Sequence, residues 1–439
     1  MITVFNKLLL RITLFITVCL CQVPAVYAID IIIDKGVENP IPVAIVPFSW
    51  SQAATVAPID MAGIISNDLV RSARFASMEQ QDMPQSPSTF DEVNFADWRK
   101  LGMENLVIGK LSLNADGNYD VEFRLLDVYK GKQIAGFRIP ANQQTLRRTA
   151  HEISDIIYEK LIGIRGAFAT RIVYITVNKS ADGSKRFALQ IADADGYNPQ
   201  ILLESSEPLL SPAWSTDGTR LAYVSFEGKN SAVYVQDILT GQRQRVASNP
   251  GINSAPAWSP DDTRLALTLS KDGNPEIYLL QLSSGQLRRI TNHPAIDTEP
   301  AWSSDGKILA FTSDRGGSPQ IYEVNVDGGQ PRRISFTGNY NAAPVFSPDN
   351  RQIAVVNGDA GQYRIGLLNR ANGQVELLSE SRMDESPSFA PNGHMIIYTT
   401  TGARGTALAA ISVDGSVHQR LALQDGEVRE PVWGPFQTR

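Results

Sequence analysis

Cysteine and histidine are nearly missing from this sequence, and their scarcity excludes much enzyme and metal chemistry. Only two cysteines, Cys19 and Cys21, and four histidines occur in 439 residues. Both cysteines sit in an N-terminal apolar stretch that reads as a cleaved leader. The exported chain is therefore expected to carry no disulfide, no reactive thiol and no cysteine metal site. The histidines are His151, His293, His394 and His418. His151-Glu152 has no second histidine at the spacing of a zinc peptidase and reads as an ordinary helix residue. No Gly-x-Ser-x-Gly elbow appears, and four scattered histidines support no Ser-His-Asp order. A basic excess is missing too: the net charge is −6, without the basic stripe of a nucleic-acid binder. No apolar run is long enough to cross a bilayer comfortably, so direct membrane insertion is not expected.

What stands at the N-terminus instead is a secretion signal. Lys7 and Arg11 lead into an almost purely apolar stretch from 12 to 20, and Val26-Tyr27-Ala28 places small residues three and one before a cut. Cleavage after Ala28 takes the net charge from −6 to −8 by removing Lys7 and Arg11. Val18 precedes Cys19 and Leu20 precedes Cys21, so neither cysteine follows the small residue usual at a lipid attachment site.

From Arg171 onward the dominant feature is a repeat. Its anchor appears as Pro212-Ala213-Trp214-Ser215, Pro256-Ala257-Trp258-Ser259 and Pro300-Ala301-Trp302-Ser303. It returns as Pro344-Val345-Phe346-Ser347, Pro387-Ser388-Phe389-Ala390 and Pro431-Val432-Trp433-Gly434. The aromatic positions are spaced by 44, 44, 44, 43 and 44 residues. Each of the first five anchors runs into a turn such as Asp217-Gly218 or Asn392-Gly393, which supplies the positive φ of a tight hairpin. An alternating strand, a looser loop, a third strand and a second turn such as Thr240-Gly241 follow. Four strands in each repeat make one propeller blade. Residues 171–206 hold three strands without an anchor, and the last anchor has no strands after it. Docking that last strand onto the first three closes a ring of six blades and leaves no free edge.

Strand directions alternate, so the tight turns share one face of the disk and the loops entering the anchors lie on the other. The turns resemble one another between repeats and the loops do not. Binding is expected on the variable face. The anchor tryptophans are expected to pack blades together.

Residues 29–165 lack the repeat. Strands are expected near 31–33, 42–47, 106–108, 119–126 and 133–137, with amphipathic helices over 58–72, 94–101 and 145–161. Residues 79–91 read as an exposed loop. The expected fold class is an α/β N-terminal domain (29–165) followed by an all-β six-bladed propeller (171–439) closed by the C-terminal strand.

Beyond the repeats, four stretches are distinctive: Ile45-Val-Pro-Phe48, Lys160-Leu-Ile-Gly-Ile-Arg-Gly-Ala-Phe168, Asp195-Gly-Tyr-Asn198 and Leu309-Ala-Phe-Thr-Ser-Asp314. With them the chain resembles the TolB family, the periplasmic propeller component of the Tol–Pal system. The resemblance implies a periplasmic monomer that binds without catalysing and needs no cofactor. It implies that the propeller mouth docks the lipoprotein Pal and that the mature N-terminal segment contacts TolA. The assembly would maintain the outer membrane and support its invagination at cell division, and colicins exploit the same mouth in some bacteria. Carried over by position, the Pal-binding residues are Ala255, Thr298, Glu299, Asp384, Glu385 and Glu430. The TolA-contacting residues are Ile29, Asp30, Ile31, Ile32, Ile33, Asp34, Lys35 and Gly36. Ile252 departs from the family, where a histidine can be found.

The mouth carboxylates Glu299, Asp384, Glu385 and Glu430 share one face by strand direction. They suit donors on a protein partner, and such a ring could also hold a hard cation such as Ca²⁺. The alternative to a binding protein is a glycosidase-like hydrolase using Glu299 and Glu430 as its two carboxylates. Asp193-Ala-Asp-Gly196 and Asp116-Gly-Asn-Tyr-Asp120 look faintly like calcium loops, but neither reaches a bidentate glutamate, and both read as hairpin turns.

Overall fold

The computed structural model describes residues 30–35, 38–52, 56–180, 182–402, 405–422 and 426–437. The leader and its cleavage site lie outside them. The first described strand is β1 (Asp30–Lys35), followed by β2 (Ile41–Ile45), β3 (Ser49–Trp50), α1 (Met61–Arg71) and β4 (Phe75–Ser77). Then come α2 (Phe95–Lys100), β5 (Asn105–Leu113), β6 (Tyr119–Asp127), β7 (Lys132–Ala141) and α3 (Leu146–Ile162). The sheet runs β4-β2-β5-β6-β7, with β3 beside β5. β2 is parallel to β4 and β5, and β5 to β7 form an antiparallel meander.

Helix α1 starts where the Asp60 carboxylate accepts the Gly63 N–H at 2.9 Å, satisfying one of the donors a helix start leaves open. Its Ile65 and Leu69 join Ile153 and Ile157 of α3 over Val43, Val107 and Phe123, covering one face of the sheet. Trp98 of α2 covers the other, with Met83 and Phe90 packed beside it. The stretch 79–91 is thus not simply exposed loop. Its polar composition hides two apolar anchors, and it contains two short 3₁₀ turns, Gln80–Asp82 and Phe90–Glu92. Gly163 ends α3 in the left-handed conformation at φ 86° and turns the chain toward the propeller.

The remaining strands form six four-stranded units. Five are continuous, at 209–247, 253–289, 297–333, 340–377 and 384–422. The sixth pairs the C-terminal strand Glu427–Trp433 antiparallel with Arg171–Lys179, setting Trp433 opposite Ile172 and Glu427 opposite Val177. This is the closure that the surplus and missing strands predict. The anchor tryptophans join neighbouring blades: Trp258 Nε1 donates to the Ala213 carbonyl at 3.1 Å, and Trp302 Nε1 to the Ala257 carbonyl at 3.1 Å. Trp214 Nε1 reaches across the closure to Val432 O at 3.3 Å.

The N-terminal domain sits against the tight-turn face. Arg74 pairs with Asp414 at 2.8 Å, Asn392 donates to the Arg165 carbonyl at 3.0 Å, and Arg147 pairs with Asp195 at 2.5 Å. All three propeller residues belong to tight turns, so the variable loops point away from this contact. Strand β1 departs from the sequence reading. It belongs to no sheet of the N-terminal domain and adds a fifth strand to the 384–422 blade, antiparallel to His418–Ala422. The outermost strand of a blade leaves one edge of N–H and C=O groups unpaired, and β1 fills it.

Candidate functional site

The anchor strands converge on the propeller axis around a cavity of about 640 Å³. Just before each anchor proline the backbone turns left-handed, at Ser211 (φ 50°), Ala255 (47°), Glu299 (54°), Ala343 (52°), Ser386 (57°) and Glu430 (48°). The register with the next strand slips at the same place in every blade. Proline disfavours the right-handed helical region in the residue before it. An extra residue there makes a bulge that re-aims the strand. The result is a ring of six equivalent left-handed residues, and Ala255, Glu299 and Glu430 line the cavity as part of it.

Two of the six carry carboxylates, and both reach the next blade. Glu299 Oε2 accepts from Thr312 Oγ1 at 2.7 Å and from the Ala343 N–H at 2.9 Å. Glu430 Oε2 accepts the Ser211 N–H across the ring closure. Burial pushes the Glu430 carboxyl above its usual range. The charges of Glu385 and Glu299 push it the same way, against the Ser211 N–H and Arg429. Glu385 is exposed. Thr298 is half-buried, its hydroxyl 3.4 Å from Thr268 Oγ1.

Asp384 is the exception among the residues expected at the mouth. It is fully buried and accepts from the Ser381 hydroxyl, so its carboxylate does not share the open face with Glu385. Its equivalents explain why. Asn253, Asp297 and Asn341 occupy the same place in other blades and are also fully buried. Asn253 Nδ2 donates to Asn249 O at 2.7 Å, Asn341 Nδ2 to Thr337 O at 2.9 Å, and Asp297 pairs with Arg315 at 2.6 Å. These side chains hold the loops entering the anchors in shape. A polar residue three before the proline is a structural hub.

The residue before three of these four hubs is exposed, while Tyr340, before Asn341, is half-buried. Ile252, Ile296 and Met383 are 46 %, 47 % and 40 % exposed, an apolar crescent that comparison of turns and charges did not single out. The signal was present in the repeat: an apolar side chain one position before the buried hub in three blades. Of the expected TolA-contacting residues, Asp30 to Lys35 form β1, while Ile29 and Gly36 lie outside the described residues.

Among the described residues the mouth carboxylates do not gather within reach of one ion; the group that does is Asp68, His151 and Asp195. His151, 2 % exposed, is no ordinary helix residue. Its Nδ1 lies 2.6 Å from Asp68 and its Nε2 3.8 Å from Asp195. Arg71 lies 3.1 Å from Asp68 and Arg147 2.5 Å from Asp195, so guanidinium groups already balance the carboxylates a metal would need. Asp68 and His151 come from the N-terminal domain and Asp195 from the propeller. The cluster is an ionic joint between domains.

Two family models match the chain: the TolB beta propeller domain over residues 158–437 and the TolB amino-terminal domain over residues 29–134. The Tol-Pal system protein TolB of Thioalkalivibrio sulfidiphilus is 60 % identical, covering 97 % of this chain and 98 % of that protein. The one from Nitrosococcus oceani is also 60 % identical, over 96 % and 97 %. Among solved structures, TolB from Acinetobacter baumannii superposes with a TM-score of 0.85 at 38 % identity, covering 93 % of this chain and all of that one.

Proposed function

Since the chain belongs to the TolB family of Tol-Pal system proteins, we propose that it is a periplasmic, non-catalytic adaptor that binds Pal at its variable face and TolA through its N-terminal segment. In that role it maintains outer-membrane integrity and supports invagination at division. The observation that carries the Pal reading is the exposed crescent of Ile252, Ile296 and Met383 beside Glu385, on the face turned away from the N-terminal domain. An apolar centre with charge at its rim is how protein interfaces are commonly built. No helix among the described residues is long and apolar enough to cross a membrane.

Glu299 and Glu430 each hold a backbone N–H of the neighbouring blade. That favours a scaffold role over the acid and base of a glycosidase. It also changes which residues should be mutated, because reversing the charge at Glu299 would disturb the blade contact itself. Ile296→Asp combined with Glu385→Lys is the cleaner test. It should weaken Pal binding at least about tenfold, a typical loss for a central interface residue, and leave thermal melting unchanged. Undiminished Pal binding in calorimetry would move the interface off this face.

The TolA reading is supported by a strand-forming segment lying on a blade edge, where main-chain pairing can be exchanged for pairing with another chain. Deleting residues 29–36 should abolish TolA capture and spare Pal binding. Capture of TolA by that truncated chain at parental affinity would refute the assignment.

A further inference from the structure

A cavity of about 210 Å³ lies at the seam between the two domains, apart from the mouth and the N-terminal strand. Its wall combines Arg148 and His151 from α3 with Arg171, Asp193, Asn198 and Gln200 from the propeller. Two of its nitrogens, Arg171 Nε and His151 Nε2, are buried without a hydrogen-bond partner. Buried polar groups are seldom left unsatisfied, and one that is calls for an occupant. Both are donors, because Asp68 on Nδ1 favours the protonated imidazole. Burial disfavours the charged form of the Arg171 guanidinium, stacked 5.4 Å from the Trp214 ring; the Asp193 charge works against that and Arg148 adds to it. Each arginine already has a carboxylate near it, Glu152 by Arg148 and Asp193 by Arg171; what the cavity lacks is an acceptor for its two open donors, and an oxyanion offers several.

Asp193 makes the site selective. Its carboxylate also faces the cavity, with Arg147 Nε 3.5 Å away. It would repel a fully deprotonated anion and accept a hydrogen bond from one that keeps a proton.

We propose that this cavity binds a small protonated oxyanion of the inorganic phosphate class, held between Arg148 and Arg171 and donating a hydrogen bond to Asp193. Arg148 is oriented for this by Glu152, 3.1 Å from its Nε, and Asn198 and Gln200 supply neutral amide partners. The ligand would touch both domains and so favour their docked arrangement.

The test is calorimetric and ³¹P NMR titration of the full chain with inorganic phosphate and, separately, sulfate, in chloride at fixed ionic strength. Saturable one-site phosphate binding is expected, with sulfate at least about tenfold weaker, the difference one charge-assisted hydrogen bond makes. Arg171→Gln should weaken phosphate binding by at least about as much. Arg148→Gln, whose side chain is a third exposed, gives the same reading should the loss of the Trp214 stack impair folding. Asp193→Asn should bring sulfate close to phosphate. Absence of saturable phosphate binding, equal affinity for the two anions, or binding that survives both arginine substitutions would each overturn the proposal.

Discussion

Ending the chain at Gly426 is expected to abolish cooperative melting of the propeller, although only thirteen residues are lost. The missing strand supplies the innermost position of the closing blade. Without it Arg171–Lys179 has an open edge facing the axis, and Trp214 Nε1 loses its acceptor at Val432 O. Val428 and Pro431 are buried, and Val432 and Trp433 half-buried. At about 1.5–3 kcal/mol for each large apolar side chain buried, these approach the roughly 5–15 kcal/mol by which whole domains are stable. The Ser211 N–H would also lose Glu430, its partner across the closure. Deleting β1 is the control. That strand adds to the outer edge of a blade already four strands wide, so its loss leaves the ring closed and the propeller should still melt cooperatively. Circular dichroism melts and limited proteolysis distinguish the two. A truncated chain melting cooperatively at the parental temperature would mean that the ring does not depend on its closing strand.

That closure was legible because it is local information repeated. A proline, an aromatic residue and a tight turn recur at one spacing, and counting strands at the two ends requires no knowledge of distant contacts. Glu299 and Glu430 could be placed on the axis for the same reason, since their position relative to Pro300 and Pro431 is fixed by the repeat. Asp384 shows where this stops. It stands one residue from Glu385, and strand alternation sends the two side chains opposite ways, one into a buried hub and one into solvent. Charge alone did not distinguish them; aligning Asp384 with Asn253 and Asn341 does. β1 was recognised as a strand from its apolar run, but its neighbour, His418–Ala422, lies almost at the other end of the chain. Nothing in a run of isoleucines names the edge it pairs with. His151 was hidden for a related reason. Its meaning depends on Asp68 from another helix and Asp195 from another domain, and a helix position with no second histidine nearby carries no trace of either.

His151→Ala is accordingly expected to cost about 3–5 kcal/mol, the usual loss when one member of a buried ion pair is removed and the other is left uncompensated. Asp68, 1 % exposed, would retain Arg71 and the Ser154 hydroxyl but lose the imidazolium. The loss should depend on pH. Burial by itself pushes the imidazole down from its ordinary 6.5; the Asp68 charge and hydrogen bond and the Asp195 charge outweigh that and the opposing Arg71, so the shift is upward. A histidine whose folded value is raised contributes stability that is fully present below the unfolded value of about 6.5 and fades as pH rises through the folded one. The gap between parent and variant should therefore be widest below about pH 6.5 and narrow in alkali. Other groups at the joint bend the same curve. Asp155 of α3, pushed up to about 7 by burial, keeps its proton longer when folded, so it too removes stability as pH rises toward that value. Asp193 is raised by burial in the same sense, whereas Asp68 and Asp195 are lowered on balance, chiefly by the His151 charge after burial's opposing push, and lose their contribution in acid. The variant keeps Asp155, which His151 does not shift, so a slope common to both proteins belongs to that carboxylate, and the difference belongs to His151 together with Asp68, Asp193 and Asp195, whose charges it favours. Melts of parent and variant across the range resolve the two. A constant difference at every pH would show that His151 acts by packing alone, and no difference would show that the two domains are joined without it.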